Sequence, residues 1–329
     1  MKSIAINGFG RIGRAALKVI MDTSGLEVVA INDLMDIENA AYLFKYDSVY
    51  KIYEKDVSVE GDLLKIGDKQ IHYLSEKDPA KLPWKDLNIE IVIESTGFFT
   101  KREDAEKHIH AGAKTVVISG PTKSENTPTV IHGVNTGDGT SAVFSCASCT
   151  TNNIGPVVEI LDRRIGIKKA ILNTVHAYTA SQGLVDSPSK KSPRMGRAAA
   201  VNLIPASTGA ATATILALPQ LDNKFDGIAI RTPVPVGSVS DITFLAAKST
   251  TVEEVNSILE EESNTDRYKK VLSASRAPLV SSDIIQSSYA SVVDLQMTRV
   301  VDGDLVKILA WYDNEWGFTN QMIRQIQEI

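Results

Sequence analysis

Along the first third of the chain the spacing of apolar positions changes at short intervals. Ser3 to Asn7 is a compact apolar run, GFGRIG (Gly8 to Gly13) follows at once, and apolar residues then recur at Ala15, Ala16, Val19 and Ile20. Steps of three and four after a β-like run predict strand, glycine turn and helix in that order. LEVVAIND (Leu26 to Asp33) is a second β-branched run, closed by an acid twenty positions after Gly13. IEIVIESTG (Ile89 to Gly97) and KTVVISGP (Lys114 to Pro121) are further strand-like runs, and REDAEKHIHAG between them ends as helices do, with Gly112 past its last turn. Alternating strands and helices predict an α/β domain built on a doubly wound parallel sheet. Within it, DVSVEGDLLKIGDKQIHYL alternates apolar and polar residues around EGD and GDK, and predicts a small antiparallel insertion instead of another βα unit.

After Ser148 the texture changes. Long β-rich runs appear at AILNTVHAYT (Ala170 to Thr179), FDGIAIRTPV, SVSDITFLAAK and DLVKILAWYD, with one clear helix at TVEEVNSILEEES. They predict a second, α+β domain with a mainly antiparallel sheet. In the last stretch Met322, Ile323 and Ile326 fall at helical spacing, as in a helix that returns to the first domain. The expected division is therefore residues 1–148 with 314–329 for the first domain and 149–313 for the second. No repeat occurs at a fixed period.

Composition narrows the classes. With 329 residues, 43% apolar and 23% charged, the chain has the make-up of a folded protein and the length of two domains. Its 35 basic and 40 acidic residues give a net charge of −5, so no positive field awaits a nucleic acid or an anionic membrane. The apolar opening is too short for a signal-peptide core and no later run approaches a bilayer span, which predicts a cytoplasmic location. Two cysteines, Cys146 and Cys149, cannot form a disulfide framework for a chain of this size.

The glycine turn has the context that a Rossmann-type dinucleotide site requires. Gly8, Gly10 and Gly13 let backbone approach a pyrophosphate, the helix start adds partial positive charge, and Asp33 is placed to accept from ribose hydroxyls. A carboxylate there repels a 2′-phosphate, so NAD is favoured over NADP. Arg11 lies inside the turn, either softening that preference or facing phosphate or solvent.

SCASCTTNN (Ser145 to Asn153) holds both thiols as C-x-x-C. Structural zinc needs four ligands, and none of the five histidines shows the spacing to supply them, so no metal is expected. A redox pair of thioredoxin type stays open as a minor reading. Ile154, Val157, Val158 and Leu161 form a helical stripe, which puts Cys149 at a helix start, where free N–H groups and the macrodipole are expected to lower its pKa. Pro156 blurs where that helix begins. His176, on the strand after the helix, is the base chosen from pattern, although a strand histidine is more often a packing residue.

SCASCTTNN, HAYTASQ, RAAAVNLIPASTGAA, Arg231 and WYDNEWGF together resemble the phosphorying glyceraldehyde-3-phosphate dehydrogenases, with the likeness running from Lys2 to the C-terminus. The resemblance implies that Cys149 adds to the aldehyde and that His176 takes the hydroxyl proton. Hydride then passes to NAD, and inorganic phosphate cleaves the resulting thioester. It also implies that Thr179 and Arg231 hold the phosphate of glyceraldehyde 3-phosphate, while Ser148, Thr150, Thr208 and Gly209 receive the attacking phosphate. On the cofactor side it implies contacts from Arg11, Ile12, Asp33, Ser119 and Asn314. The long segment of about 180–202, with Lys190, Lys191, Arg194 and Arg197 against Asp186, would be the S-shaped loop of a subunit interface, implying a homotetramer.

The chain departs from the family pattern at several positions. Cys146 stands where the family commonly has Asn and Asn153 where it often has Cys, which makes the C-x-x-C spacing a by-product of one substitution. Val234, Val236 and Phe318 stand where many members carry Thr, Asn and Tyr, and Met195 where some carry an extra Arg, bearing on phosphate affinity and nicotinamide packing. Two rivals remain at this stage. One is an erythrose-4-phosphate dehydrogenase, which releases an acid through water, and the other is a non-catalytic NAD-binding regulatory protein.

Overall fold

A computed structural model describes residues 1–135, 141–190 and 192–329. They form two compact units: Met1–Val130, 141–147 and Met322–Ile329 make the first, and Ile131–Asn135 with 148–190 and 192–321 the second. The tail thus rejoins the first unit at Met322, later than the expected 314. The reason is local hydrogen bonding: Asp313 accepts from the backbone N–H groups of Gln286, Glu315 and Trp316, and Gln321 Nε2 donates to the carbonyls of Lys270 and Ser288. Ile131–Asn135 is held in the second unit by Arg267, which donates to the carbonyls of Gly133 and Val134.

In the first unit, β1 (Lys2–Asn7) leads through the glycine turn into α1 (Arg11–Met21), which buries Ala15, Ala16, Leu17, Val19 and Ile20. β2 (Leu26–Asn32) follows, then α2 (Ile37–Lys45), capped by Asp36, whose side chain accepts from Asn39 N–H. A two-residue hairpin, β3 (Tyr46–Asp47) and β4 (Lys51–Ile52), precedes a meander of β5 (Val57–Glu60), β6 (Leu63–Ile66) and β7 (Lys69–Leu74). β8 (Ile91–Glu94), α3 (Arg102–His110), β9 (Thr115–Ile118) and β10 (Val143–Ser145) complete it. The sheet order is β10-β9-β8-β1-β2-β7-β6-β5. All pairings from β10 to β7 are parallel, which is the doubly wound core. The meander is antiparallel, as its alternation predicts, but it is not a separate insertion. β7 pairs with β2 in parallel, so the main sheet continues through it, because the buried Ile71 and Tyr73 share the apolar face.

The second unit carries α4 (Cys149–Arg164), β11 (Ile167–Ala177), β12 (Ile204–Ser207), α5 (Ala210–Ala217), β13 (Phe225–Thr232) and β14 (Ser238–Ala246). α6 (Val252–Ser263), β15 (Leu272–Ser275), β16 (Ser291–Val301) and β17 (Leu305–Tyr312) follow, and α7 (Trp316–Glu328) begins in this unit and continues into the first from Met322. Their sheet runs β12-β13-β11-β14-β17-β16-β15. It is mainly antiparallel, with β11·β13 and β15·β16 parallel. Ile154, Val157, Val158 and Leu161 of α4 pack with Leu172, Ile242, Phe244, Leu259 and Ile308 as its core. α5 was not legible in the pattern, since AATATILA has no amphipathic alternation to distinguish it.

Candidate active site

In the first unit the glycine turn is built by close packing. A Cβ on Gly8 would lie 2.5 Å from Thr96 N, and one on Gly13 would lie 2.1 Å from Gly8 O. Gly10 meets nothing within 4 Å and is exposed, which leaves the outer side of the turn open. It is also the N-cap of α1 and makes no side-chain capping bond, so the first N–H groups of the helix receive no cap from it. Ile12 follows in the first turn of α1. Asp33, just past β2, accepts from Phe9 N–H at 2.5 Å and Met35 N–H at 2.9 Å, which fixes the carboxylate beside the turn. Ser119 follows β9, its N–H donating to Glu94 O. These features suit a dinucleotide: an open glycine, uncapped helix amides and a fixed acid. Arg11 is engaged within the protein. Its Nη1 lies 2.6 Å from Asp47 Oδ2 and its guanidinium stacks on Tyr50.

In the second unit, Ser148 caps α4: its Oγ accepts from Thr151 N–H at 3.0 Å and lies 2.7 Å from Thr151 Oγ1. Cys149 is therefore the first helical residue, with Pro156 accommodated further along. Ala147, immediately before this turn, takes a left-handed φ of 57°, a strained conformation for a side-chain-bearing residue that nothing in the sequence announces. Cys149 is half-buried, and its Sγ lies 3.4 Å from His176 Nε2. The helix start does not lower its pKa as expected. Burial raises it, outweighing the pull of Arg231 and of the Thr150 N–H in the other direction. Burial, then the Arg231 charge, lowers His176 to about 4, partly opposed by the Ala177 carbonyl. Cys146 is buried, its thiol pushed up to about 12.

His176 and Arg231 are register partners on β11 and β13, and Arg231 Nη1 lies 2.8 Å from His176 Nδ1. Thr179 Oγ1 is 2.9 Å from Ser181 Oγ. Thr208 Oγ1 accepts from Ala210 N–H at the start of α5, where Gly209 is exposed. Thr150 Oγ1 is 2.8 Å from the hydroxyl of Tyr312, which also lies 2.8 Å from Thr174 Oγ1. The Tyr312 ring stands edge-on to His176, with centroids 5.9 Å apart. The sequence reading missed Tyr312 and Thr174, although Tyr312 belongs to the quoted WYDNEWGF. Asn314 lies in the second unit, where its Oδ1 accepts from Gly237 N–H and Ser238 Oγ. In the long loop, Asp186 accepts from Arg197 Nε and Ala198 N–H, while Lys191 lies outside the described residues. Among the described residues no group of three or more His, Cys, Asp or Glu is arranged to hold a metal, and no helix is long and apolar enough to cross a membrane.

A dinucleotide cradle in one unit and a thiol–imidazole contact in the other define the class: an NAD-dependent oxidoreductase. Residues 2–102 match the NAD binding domain of glyceraldehyde 3-phosphate dehydrogenase, and residues 148–314 match its C-terminal domain. The chain belongs to the glyceraldehyde-3-phosphate dehydrogenase family. It is 45% identical to glyceraldehyde-3-phosphate dehydrogenase of Clostridium pasteurianum, over 99% of this chain and 98% of the relative. The Thermotoga maritima enzyme of that name is 46% identical with the same coverage. Glyceraldehyde-3-phosphate dehydrogenase 1 of Bacillus subtilis is 45% identical over 97% of this chain and 96% of its own length.

Proposed function

We propose that this protein oxidises glyceraldehyde 3-phosphate with NAD and inorganic phosphate to 1,3-bisphosphoglycerate, with Cys149 as nucleophile and His176 as base. The observation that carries the reading is the 3.4 Å contact between Cys149 Sγ and His176 Nε2 at a helix start. As sulfur bonds to the aldehyde carbon, His176 takes the thiol proton and passes it to the carbonyl oxygen, giving a thiohemiacetal. His176 next removes that hydroxyl proton as hydride leaves the same carbon, and a thioester remains on Cys149. NAD, when bound, would supply the hydride acceptor, and Gly8, Gly10, Arg11, Ile12, Gly13, Asp33, Ser119 and Asn314 are the residues that would hold it. Inorganic phosphate attacks the thioester carbon, the C–S bond breaks, and the sulfur recovers a proton from His176. Splitting one difficult step into two in this way suits sulfur, which is both a good nucleophile and a good leaving group.

Arg231 and Thr179 take the substrate phosphate in this reading, and Ser148, Thr150, Thr208 and Gly209 the attacking one. Hydroxyls, backbone amides and a guanidinium fork are the donors that phosphate oxygens accept. Leu184, Val185, Val201 and Leu203, all at least 70% exposed in and beside the long loop, are the surface we assign to contact between copies in a homotetramer. A cytoplasmic location belongs to the same reading. The test is NADH formation by purified protein with and without inorganic phosphate. Dependence on phosphate is expected, and a rate indifferent to it would favour release of an acid through water, the erythrose-4-phosphate-type outcome. A regulatory protein would need the cradle but not the thiol–imidazole contact.

A further inference from the structure

Asn32, Asn7 and Glu94 end neighbouring strands of the first unit: β1 sets Asn7 in register with Asn32 of β2 on one side and with Glu94 of β8 on the other. The carboxyl ends of such parallel strands are where open α/β sheets take ligands. All three side chains are buried, as is His108 of α3, which reaches them. Asn32 Nδ2 donates to Asn7 Oδ1 at 2.7 Å, and Asn7 Nδ2 to Glu94 Oε2 at 2.6 Å. Glu94 Oε2 also lies 3.1 Å from His108 Nε2, while Oε1 accepts from the Thr96 N–H at 2.8 Å and from the Thr96 hydroxyl. With both oxygens taken up by donors, Glu94 is a carboxylate, and among the described residues no lysine or arginine pairs with it. A buried anion with no cation beside it is costly, so the placing of each donor matters.

The ring proton of His108 is placed by Trp84, which is fully buried. Trp84 Nε1 can only donate, and it lies 2.9 Å from His108 Nδ1, so Nδ1 accepts and the proton sits on Nε2, facing Glu94. An imidazolium is shut out, since a proton on Nδ1 would meet the indole N–H. What the carboxylate holds in turn belongs to the glycine turn. Thr96 N is the backbone atom that a Cβ on Gly8 would meet at 2.5 Å, and Ser95 Oγ donates to Gly8 O at 2.7 Å. Thr96 Oγ1 also accepts from Phe98 N–H at 3.1 Å. The segment 95–98 is therefore tied to Glu94 and pressed against Gly8.

We propose that His108 is a positioning residue for the cofactor turn. Fixed by Trp84 as the Nε2–H tautomer, it aims the Glu94 carboxylate so that Oε1 holds Thr96 against Gly8, and the turn keeps the shape a pyrophosphate needs. This role rests on the reading of Gly8, Gly10 and Gly13 as the NAD cradle.

The test compares His108→Leu with His108→Gln in full-length protein. Leucine removes both nitrogens, whereas the glutamine amide offers one acceptor to Trp84 and one donor to Glu94. NAD affinity, followed by fluorescence titration, should fall roughly tenfold in His108→Leu and return to within about threefold of wild type in His108→Gln. In steady-state kinetics KM for NAD should rise in step, while KM for glyceraldehyde 3-phosphate and kcat at saturating NAD hold. A histidine that only fills the core would lower stability to urea in His108→Leu and leave NAD affinity unchanged, which overturns the proposal. Equal weakening by leucine and glutamine overturns it too.

Should His108→Leu not fold, Trp84→Phe keeps the imidazole and removes its anchor, and NAD binding should again weaken. The ring-nitrogen NMR spectrum of 15N-histidine-labelled protein, with His108 assigned by its absence in His108→Gln, should show a bare Nδ1 and a protonated Nε2. A protonated Nδ1 in the wild type, or wild-type NAD affinity in Trp84→Phe, sinks the proposal. Absence of NAD binding by the wild type would instead remove the cradle reading, and the spectrum separates the two because it is recorded without NAD.

Discussion

His176 and Arg231 lie 55 residues apart in sequence, yet parallel pairing of β11 with β13 makes them register partners and puts a guanidinium nitrogen 2.8 Å from the ring. A base beside a permanent cation is held neutral, and neutral is the form that accepts a proton. Replacing it by a side chain of similar reach tests that role. His176→Asn should lower kcat for NADH formation by roughly 10²- to 10⁴-fold with little change in substrate KM, read from steady-state kinetics. An unchanged kcat would remove His176 from the chemistry.

The same cation and the same burial make stability depend on pH. His176 titrates at about 4 in the fold against 6.5 ordinarily. Between those values the unfolded chain binds a proton that the folded chain refuses, so this contribution is intact above about pH 6.5 and is lost as pH falls towards 4. The full effect is about 3 kcal/mol. The titratable groups facing the ring are Cys149 from α4, Arg231 from β13 and Tyr312 from β17. Burial raises the Cys149 and Tyr312 values, so neither competes in this window. Urea unfolding at pH 7 and pH 4.5 should show a smaller loss in His176→Asn than in the wild type, and equal losses would count against the assignment.

Tyr312→Phe isolates one oxygen. Thr150 and Thr174 are both buried and would each lose their contact with the tyrosine hydroxyl. Thermal and urea unfolding should report a loss of about 1–3 kcal/mol. If Thr150 serves the attacking phosphate, KM for inorganic phosphate should rise as well. Wild-type values for both would mean the bridge is idle.

Gly13→Ala tests the cradle. Its Cβ would fall 2.1 Å from the Gly8 carbonyl oxygen, a backbone atom with no room to yield in a packed turn. NAD affinity, followed by fluorescence titration, should drop by roughly tenfold or more while the second unit keeps its thiol reactivity. Wild-type affinity would place the cofactor elsewhere.

Asp33→Asn should raise the kcat/KM ratio of NADP to NAD by about tenfold, because a neutral amide no longer repels a 2′-phosphate. Full conversion to NADP is not expected, since Arg11 is tied to Asp47 and stacked on Tyr50. A ratio unmoved by the substitution would remove Asp33 from cofactor choice.

Most of the order of elements, though not α5, the glycine turn and the helix that begins at Cys149 could be read from the chain because each depends on near neighbours. Residues three or four apart share a helix face, alternate residues share a strand face, and Gly8 and Gly13 are demanded by one tight turn. What only the tertiary structure decided came from contacts distant in sequence. Strand register set Arg231 against His176, β17 carried Tyr312 to Thr150 and Thr174, and Asp47 captured Arg11. Burial reversed the sign expected for Cys149: a helix start favours a thiolate, but the cost of desolvating that charge depends on everything packed around it, which no local pattern contains.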